Sequence, residues 1–272
     1  MRESPSATLL YAHPHPFALI YDLFHHDKHG TPLRPPRRAS DEEFEFVLQL
    51  LKEDWCGLLE FPTYVWQMVL PRSFHAQVRV HRHWSFFSQS HQLYEPAHFA
   101  DEGDYFKIPG LTPLCRDIER SSMKHAEDAY GDLREAGVLP SLARGVLPMH
   151  INLGLSVGMN LRSLFQVAVE RRCHILQGTY WNPLLDQMSA ALCALDERYA
   201  RLFELQPCDI SGRCLSAIEQ ELRVKGKDPH AVCPRYLAMT ARPGATCCGR
   251  GCKGCLKHAR EHGVAVERDN HR

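Results

Sequence analysis

The chain has 272 residues, 44% hydrophobic and 24% charged, enough to bury one large core or two modest ones. Its 32 Lys and Arg balance 32 Asp and Glu, so no global charge draws it to nucleic acid or to a membrane surface. Eleven cysteines, an odd number behind a polar N-terminus with no secretory hydrophobic region, argue against a disulfide framework. A cytoplasmic protein with reduced, metal-bound or reactive thiols is expected. The most apolar long stretch, Gly145 to Leu161, is broken by Pro148, His150, Asn152 and Asn160 and excludes a membrane span there.

In chain order, Leu9 to Phe24 predicts a short strand and a turn before a helix start, and His25 to Ser40 a loop carrying Pro32, Pro35 and Pro36 beside Arg34, Arg37 and Arg38. Ser40 with Glu43 forms a capping box for a helix through Phe44, Val47, Leu48 and Leu51, closed by Gly57. Tyr64, Trp66 and Met68 alternate with Val65, Gln67 and Val69 as a strand does, and Pro71 to Val80 suits a short helix. Three amphipathic helices follow, over Ser121 to Ala136, Asn160 to Gln177 and about Leu184 to Leu205. After Gln206 periodicity fades while Pro, Gly, Cys and basic residues rise. The organisation expected is a domain over 1–206 and an irregular appendage over 207–272.

Three blocks concentrate polar side chains, one of them Ala143-Arg144 ahead of Leu147-Pro148. His81-Arg82-His83-Trp84-Ser85-Phe86-Phe87-Ser88-Gln89-Ser90-His91-Gln92 interleaves three Ser, three His, an Arg and two amides with aromatics. Guanidinium and hydroxyl donors suit phosphate oxygens, and aromatic faces suit ring stacking. Asn160-Leu161-Arg162-Ser163-Leu164 continues to Gln166, Arg171 and Gln177. In a helix Asn160 and Arg171 share a face three turns apart, one polar residue at each end of an apolar stripe. A solvated helix face explains Arg162, Arg171 and Arg172 equally well.

Those blocks resemble the flavin-dependent thymidylate synthases, whose signature reads R-H-R-x-x-S-x-N-x-x-S-x-R-Y. Val80-His81-Arg82, Ser85, Ser90 and Gln92 fall in its register. Upstream, Leu59 to Gln77 aligns without gaps, including Thr63 and Pro71. Downstream, Ala143-Arg144 with Leu147-Pro148 and the Asn160 to Leu164 block match at the family's spacings. The resemblance covers about 55–180 and implies an α+β fold: a twisted, mostly antiparallel sheet with packed helices. It implies a homotetramer with FAD at subunit interfaces, consistent with the lack of a G-x-G-x-x-G fingerprint. It further implies reduction by NADPH and transfer of a one-carbon unit from methylenetetrahydrofolate to carbon 5 of dUMP. Thr63, His81, Arg82, Ser85, Asn160 and Gln166 match flavin-contacting positions. Ser88, Ser90, His91, Gln92, Arg144 and Arg171 match positions around the nucleotide, Arg171 being the arginine that polarises the uracil ring.

The departures are informative. Val80 stands for the signature's first Arg, Phe87 for its Asn, Gln92 for its last Arg and Leu93 for its Tyr; Phe61 replaces a His, and Thr179 and Trp181 a Glu and an Arg. Neutral Gln92 removes a charge-assisted hydrogen bond of about 1.5–3 kcal/mol, enough to change substrate preference. In the tail, Cys247, Cys248, Cys252 and Cys255 lie within nine residues on a Gly-rich backbone. C-x3-C-x2-C suits three corners of an iron–sulfur cluster, with Cys233 or Cys247 as the fourth; zinc, with His258 or Cys233, is the alternative. Isolated Cys56, Cys115, Cys173 and Cys193 are expected to be structural. Three functions remain open: a flavin-dependent C5 methyltransferase on a dUMP-like or modified pyrimidine, a flavin and iron–sulfur enzyme on a non-standard substrate, and a non-catalytic nucleotide-binding relative with a zinc tail.

Overall fold

Alternation of large apolar and small or polar residues builds a four-stranded antiparallel sheet in the computed structural model, which describes residues 5–53, 57–81, 83–88, 98–101, 103–171 and 180–205. The strands are β1 (Ser6–Ala12), β2 (Thr63–Pro71), β3 (Ser85–Ser88) and β4 (Asn152–Asn160), in the spatial order β1-β2-β4-β3. Among the described residues the helices are α1 (Pro16–His29), α2 (Asp41–Lys52), α3 (Arg72–Arg79), α4 (Pro113–Glu135), α5 (Pro140–Ala143), α6 (Leu161–Arg171), α7 (Trp181–Cys193) and α8 (Ala200–Glu204). The expected α+β class with an antiparallel sheet is what the chain forms. Among the described residues no helix is long and apolar enough to cross a membrane.

The chain forms two compact units, Met1–Val47 with Trp55–Ser163 and Leu48–Asp54 with Leu164–Arg272. In the first, one face of the sheet carries Tyr64, Trp66, Met68 and Leu70 of β2 and Leu153, Leu155, Val157 and Met159 of β4, all buried. A second cluster, Phe99, Tyr105, Met123, Tyr130, Ala143, Leu147 and Ile151, joins α4 to the segments around it. In the second unit, Leu164, Phe165, Val167 and Ala168 of α6 are buried, as are Trp181, Leu184, Leu185, Met188 and Leu192 of α7.

Several expectations need correction. The segment after Phe24 continues as helix to His29 and stops at Gly30, whose φ of 65° is the left-handed cap that glycine adopts without strain. Gly57 does not close α2; with φ −62° it leads a single 3-10 turn, Leu58–Glu60. Gly145 to Leu161 contains β4, a strand absent from the sequence prediction. Cys115 is exposed on α4 instead of structural, and Cys193 is half-buried. The appendage over 207–272, with Cys247, Cys248, Cys252 and Cys255, lies outside the described residues, as do Arg82, Ser90, His91 and Gln92.

The capping box forms in both directions: Ser40 N–H donates to Glu43 Oε2 at 2.8 Å, and Glu43 N–H to Ser40 Oγ at 3.3 Å. The Glu43 carboxylate also accepts from Arg37 at 2.6 Å and Arg34 at 2.8 Å, and both guanidinia reach Asp22 of α1. The proline-rich segment is thereby tied to α1 and α2. Arg37, the Ser40 N–H and Arg34 together hold the Glu43 carboxyl down to about 2, with burial opposing them. In an unfolded chain this group titrates near 4.5. The stabilisation is therefore complete above that pH and is lost as pH falls toward about 2. With both arginines partly exposed it is on the order of 1–3 kcal/mol. Urea unfolding of the wild type should weaken across this window, and Glu43→Gln should start lower and flatten the dependence; parallel curves for the two proteins would contradict it.

Candidate functional site

Strand register gathers the polar residues of the first unit. Antiparallel pairing sets Thr63 opposite Asn160, Val65 opposite Gly158 and Gln67 opposite Ser156. On the other side of β4, Ser85 pairs with Gly158 and Phe87 with Ser156. Cross-strand partners share a face, and this face is the one turned away from the buried core. Thr63, Asn160, Gly158 and Ser85 thus occupy one corner of an open sheet face, at the start of β2, the end of β4 and the start of β3. Beside the corner, Ser156 Oγ donates to Gln67 Oε1 at 2.9 Å. Gly158 leaves the corner bare: an added Cβ would meet only Ser85 Cβ, at an ordinary 3.6 Å.

Asn160 has two roles. It ends β4 and stands before α6, so it is an N-cap and not the helical residue expected from the sequence. Its Oδ1 accepts the Ser163 N–H at 2.9 Å, leaving the amide nitrogen for another partner. His81 precedes β3 and stacks on Trp84, ring centroids 4.8 Å apart. Ser88 pairs with Leu155 and stands on the opposite face from Ser85. Arg144 opens a 3-10 turn, Arg144–Val146, directly after buried Ala143; it makes no ion pair among the described residues. Arg162 pairs with Glu60 at 3.2 Å, as a surface residue does.

In the second unit, half-buried Gln166 lies within α6 and Arg171 ends it. The Arg171 guanidinium lies 5.1 Å from the centre of the Trp181 ring, and Trp181 is 1% exposed. The ring face attracts the cation electrostatically, and the Arg171 Nε is buried without a hydrogen-bond partner among the described residues. The sequence treats Trp181 only as a departure; its role under Arg171 had no local signal. Gln67, Ser156 and Gly158 carry a signal only as strand residues, where polar or small side chains at every second position announce an open face. Elsewhere, His98, Asp101 and Glu127 bring ligand atoms within 4.8 Å of one another, but the Lys124 ammonium bridges Asp101 at 3.0 Å and Glu127 at 2.8 Å, where a metal would sit.

Residues 9–178 match the family model described as thymidylate synthase complementing protein, Thy1. The chain belongs to this family. A flavin-dependent thymidylate synthase of Saccharolobus solfataricus is 27% identical over 139 residues, which are 49% of this chain and 52% of that protein. The chain thus spans about half the length of that curated relative. Two solved structures share the fold of this Thy1-family chain. The UMP/dUMP methylase PolB from Streptomyces cacaoi, bound with 5-Br dUMP, superposes with a TM-score of 0.59 at 16% identity, over 75% of this chain and 96% of that one. Thymidylate Synthase X from Helicobacter pylori, with FAD and dUMP, gives 0.58 at 14% identity, over 73% and 99%.

The cap on α6 separates two properties of Asn160. Asn160→Ala should lower stability by about 1 kcal/mol, whereas Asn160→Asp, which keeps a cap acceptor, should stay near the wild type in thermal denaturation. Equal loss in both variants would show that the cap is not what Asn160 contributes to folding.

Proposed function

We propose that this Thy1-family chain is a flavin-dependent methyltransferase acting on carbon 5 of a pyrimidine nucleotide, with FAD as cofactor and NADPH and methylenetetrahydrofolate as co-substrates. In the net change the methylene carbon breaks its two bonds to folate nitrogens and bonds to C5, and a hydride originating on NADPH completes the methyl group. The C5 proton with one from solvent balances the two taken up by the folate nitrogens, leaving tetrahydrofolate and NADP+. The observation that carries this proposal is the open corner of the sheet, where Thr63, Ser85 and Asn160 surround a bare Gly158. A flat ring system needs such a floor, with hydroxyl and amide groups at its rim. Thr63, Ser85, the free amide of Asn160, and His81 with Arg82 would hold the flavin, which when bound supplies hydride and one-carbon transfer. Gln166 joins them by its match to the family pattern.

Around the nucleotide we place Ser88, Ser90, His91, Gln92, Arg144 and Arg171. Arg171, immobilised over Trp181, would set a permanent charge beside a ring oxygen and stabilise negative charge developing on the pyrimidine. Neutral Gln92, with Phe87 80% exposed on the open face, favours a modified or less phosphorylated pyrimidine over plain dUMP. A homotetramer, in which subunits complete one another's sites, belongs to the same proposal.

Purified protein should be yellow, with about one FAD per chain after reconstitution, and light scattering should give the mass of four chains. Asn160→Asp and Ser85→Ala should each weaken FAD binding about five- to tenfold in fluorescence titrations, the loss of one hydrogen bond. A colourless monomer that does not take up added FAD would sink the proposal, and unchanged FAD affinity in both variants would remove the corner from it.

Arg171→Ala should abolish methyl transfer in single-turnover assays while retaining FAD and the circular dichroism of the wild type. Arg171→Lys should rescue little, because an ammonium lacks the planar donor edge. Turnover of Arg171→Ala at wild-type rate would assign the Trp181 stack to folding alone.

A further inference from the structure

A cleft of about 450 Å³ opens in the first unit, lined by Ala100, Asp101, Gly103, Tyr105, Lys107, Arg116 and Arg120. None of these residues belongs to the open corner of the sheet or to the nucleotide positions proposed above. Three cationic side chains face one carboxylate, and that carboxylate, Asp101, is already paired with Lys124 at 3.0 Å. By the same measure Arg116 is paired with Glu119, so among the described lining residues the positive balance rests on Lys107 and Arg120.

The cations are differently held. Arg116 and Arg120 are one turn apart on α4, so both project from one side of the helix. Arg116 is anchored by Glu119 and by the Ile108 carbonyl, to which it donates at 2.6 Å. Glu119 in turn accepts the Ile108 N–H at 2.9 Å, which pins the 105–108 segment against the helix. Arg120 is exposed and makes no hydrogen bond or ion pair among the described residues. Tyr105 is 5% exposed and bridges to Ile151 of the core beneath. Burial, then Glu119, raise its hydroxyl pKa, while Arg120 and Arg116 act in the opposite sense, so the phenol stays a neutral donor.

We propose that this cleft binds a phosphorylated small molecule of nucleotide size, its phosphate held between Lys107, Arg116 and Arg120, at a site separate from the methyl acceptor's. One guanidinium braced by a buried carboxylate, a second left without a partner, a lysine opposite and a phenol at the floor make a donor set matched to a phosphoryl group. The volume lies within the range of small-molecule sites and exceeds what a single phosphate fills.

The test is calorimetric titration of the full chain with inorganic pyrophosphate, in the presence of saturating FAD and dUMP so that sites of the proposed methyl transfer are taken. Triglutamate, a polycarboxylate of comparable charge, forms a second arm. Wild type should bind pyrophosphate, more weakly as salt is raised, and Arg120→Glu should lose affinity by about tenfold or more with an unchanged thermal midpoint and FAD content. Lys107→Ala should lose less than Arg120→Glu, since it removes a charge without reversing one. No heat with pyrophosphate, equal affinity in wild type and Arg120→Glu, or tighter binding of triglutamate would each overturn the proposal. Because FAD uptake and dUMP binding are recorded in the same samples, failure of the methyltransferase assignment shows as a separate result.

Discussion

Pairing between β2 and β4 runs without a break from Thr63 opposite Asn160 to Pro71 opposite Asn152. A strand's side chains alternate with period two, so a slip of one residue would send Tyr64, Trp66, Met68 and Leu70, or their partners Leu153, Leu155, Val157 and Met159, to the wrong face. Complete burial of such side chains is worth about 1.5–3 kcal/mol each, so the penalty for a slip is on the order of several kcal/mol even after allowing for a compact unfolded state. The same register fixes the other face. Thr63, Asn160, Gly158 and Ser85 meet at one corner because four apolar side chains on each strand demand the core. Position of the polar groups is a by-product of hydrophobic burial, and it needs no hydrogen bond of their own to hold it.

Local chemistry explains which parts were legible in the sequence. Ser40 and Glu43 satisfy each other's backbone donors across three residues, so the start of α2 could be read without tertiary information. In β2, β-branched and aromatic residues on both faces advertise a strand. β4 has the same alternation on its buried face, but Asn, Gly, Ser and Gly on the other lower its strand propensity, and the proline and histidine ahead of it obscured the start. β3 is four residues long and polar at both ends, stabilised by pairing with β4 and by little of its own. At Asn160 a cap and a first-turn residue look alike in a polar block, so the sequence pattern starts the helix one residue early. Contacts such as Arg171 on Trp181 join residues ten apart through an intervening segment, and no periodicity records them.

The departures from the family pattern divide on physical grounds. Trp181, set against an arginine in the resemblance, is buried and lies under the Arg171 guanidinium. Phe61, Val80 and Phe87 replace a histidine, an arginine and an asparagine, and all three remain exposed, at 61%, 62% and 80%. Exposed apolar side chains contribute nothing to the core of this unit, so folding stability does not account for them. Phe87 lies in the row of Ser156 and Gln67 on the open face, one row from the Ser85 corner. At Phe87, apolar area stands where the family signature has a hydrogen-bonding side chain, on the open face that the flavin and nucleotide are proposed to use. Such an exchange would suit the less phosphorylated pyrimidine proposed above, with Thr63, Ser85 and Asn160 as the polar rim. Phe61, Val80 and Phe87 all lie outside β2 and β4, so the register that builds the open face does not depend on them.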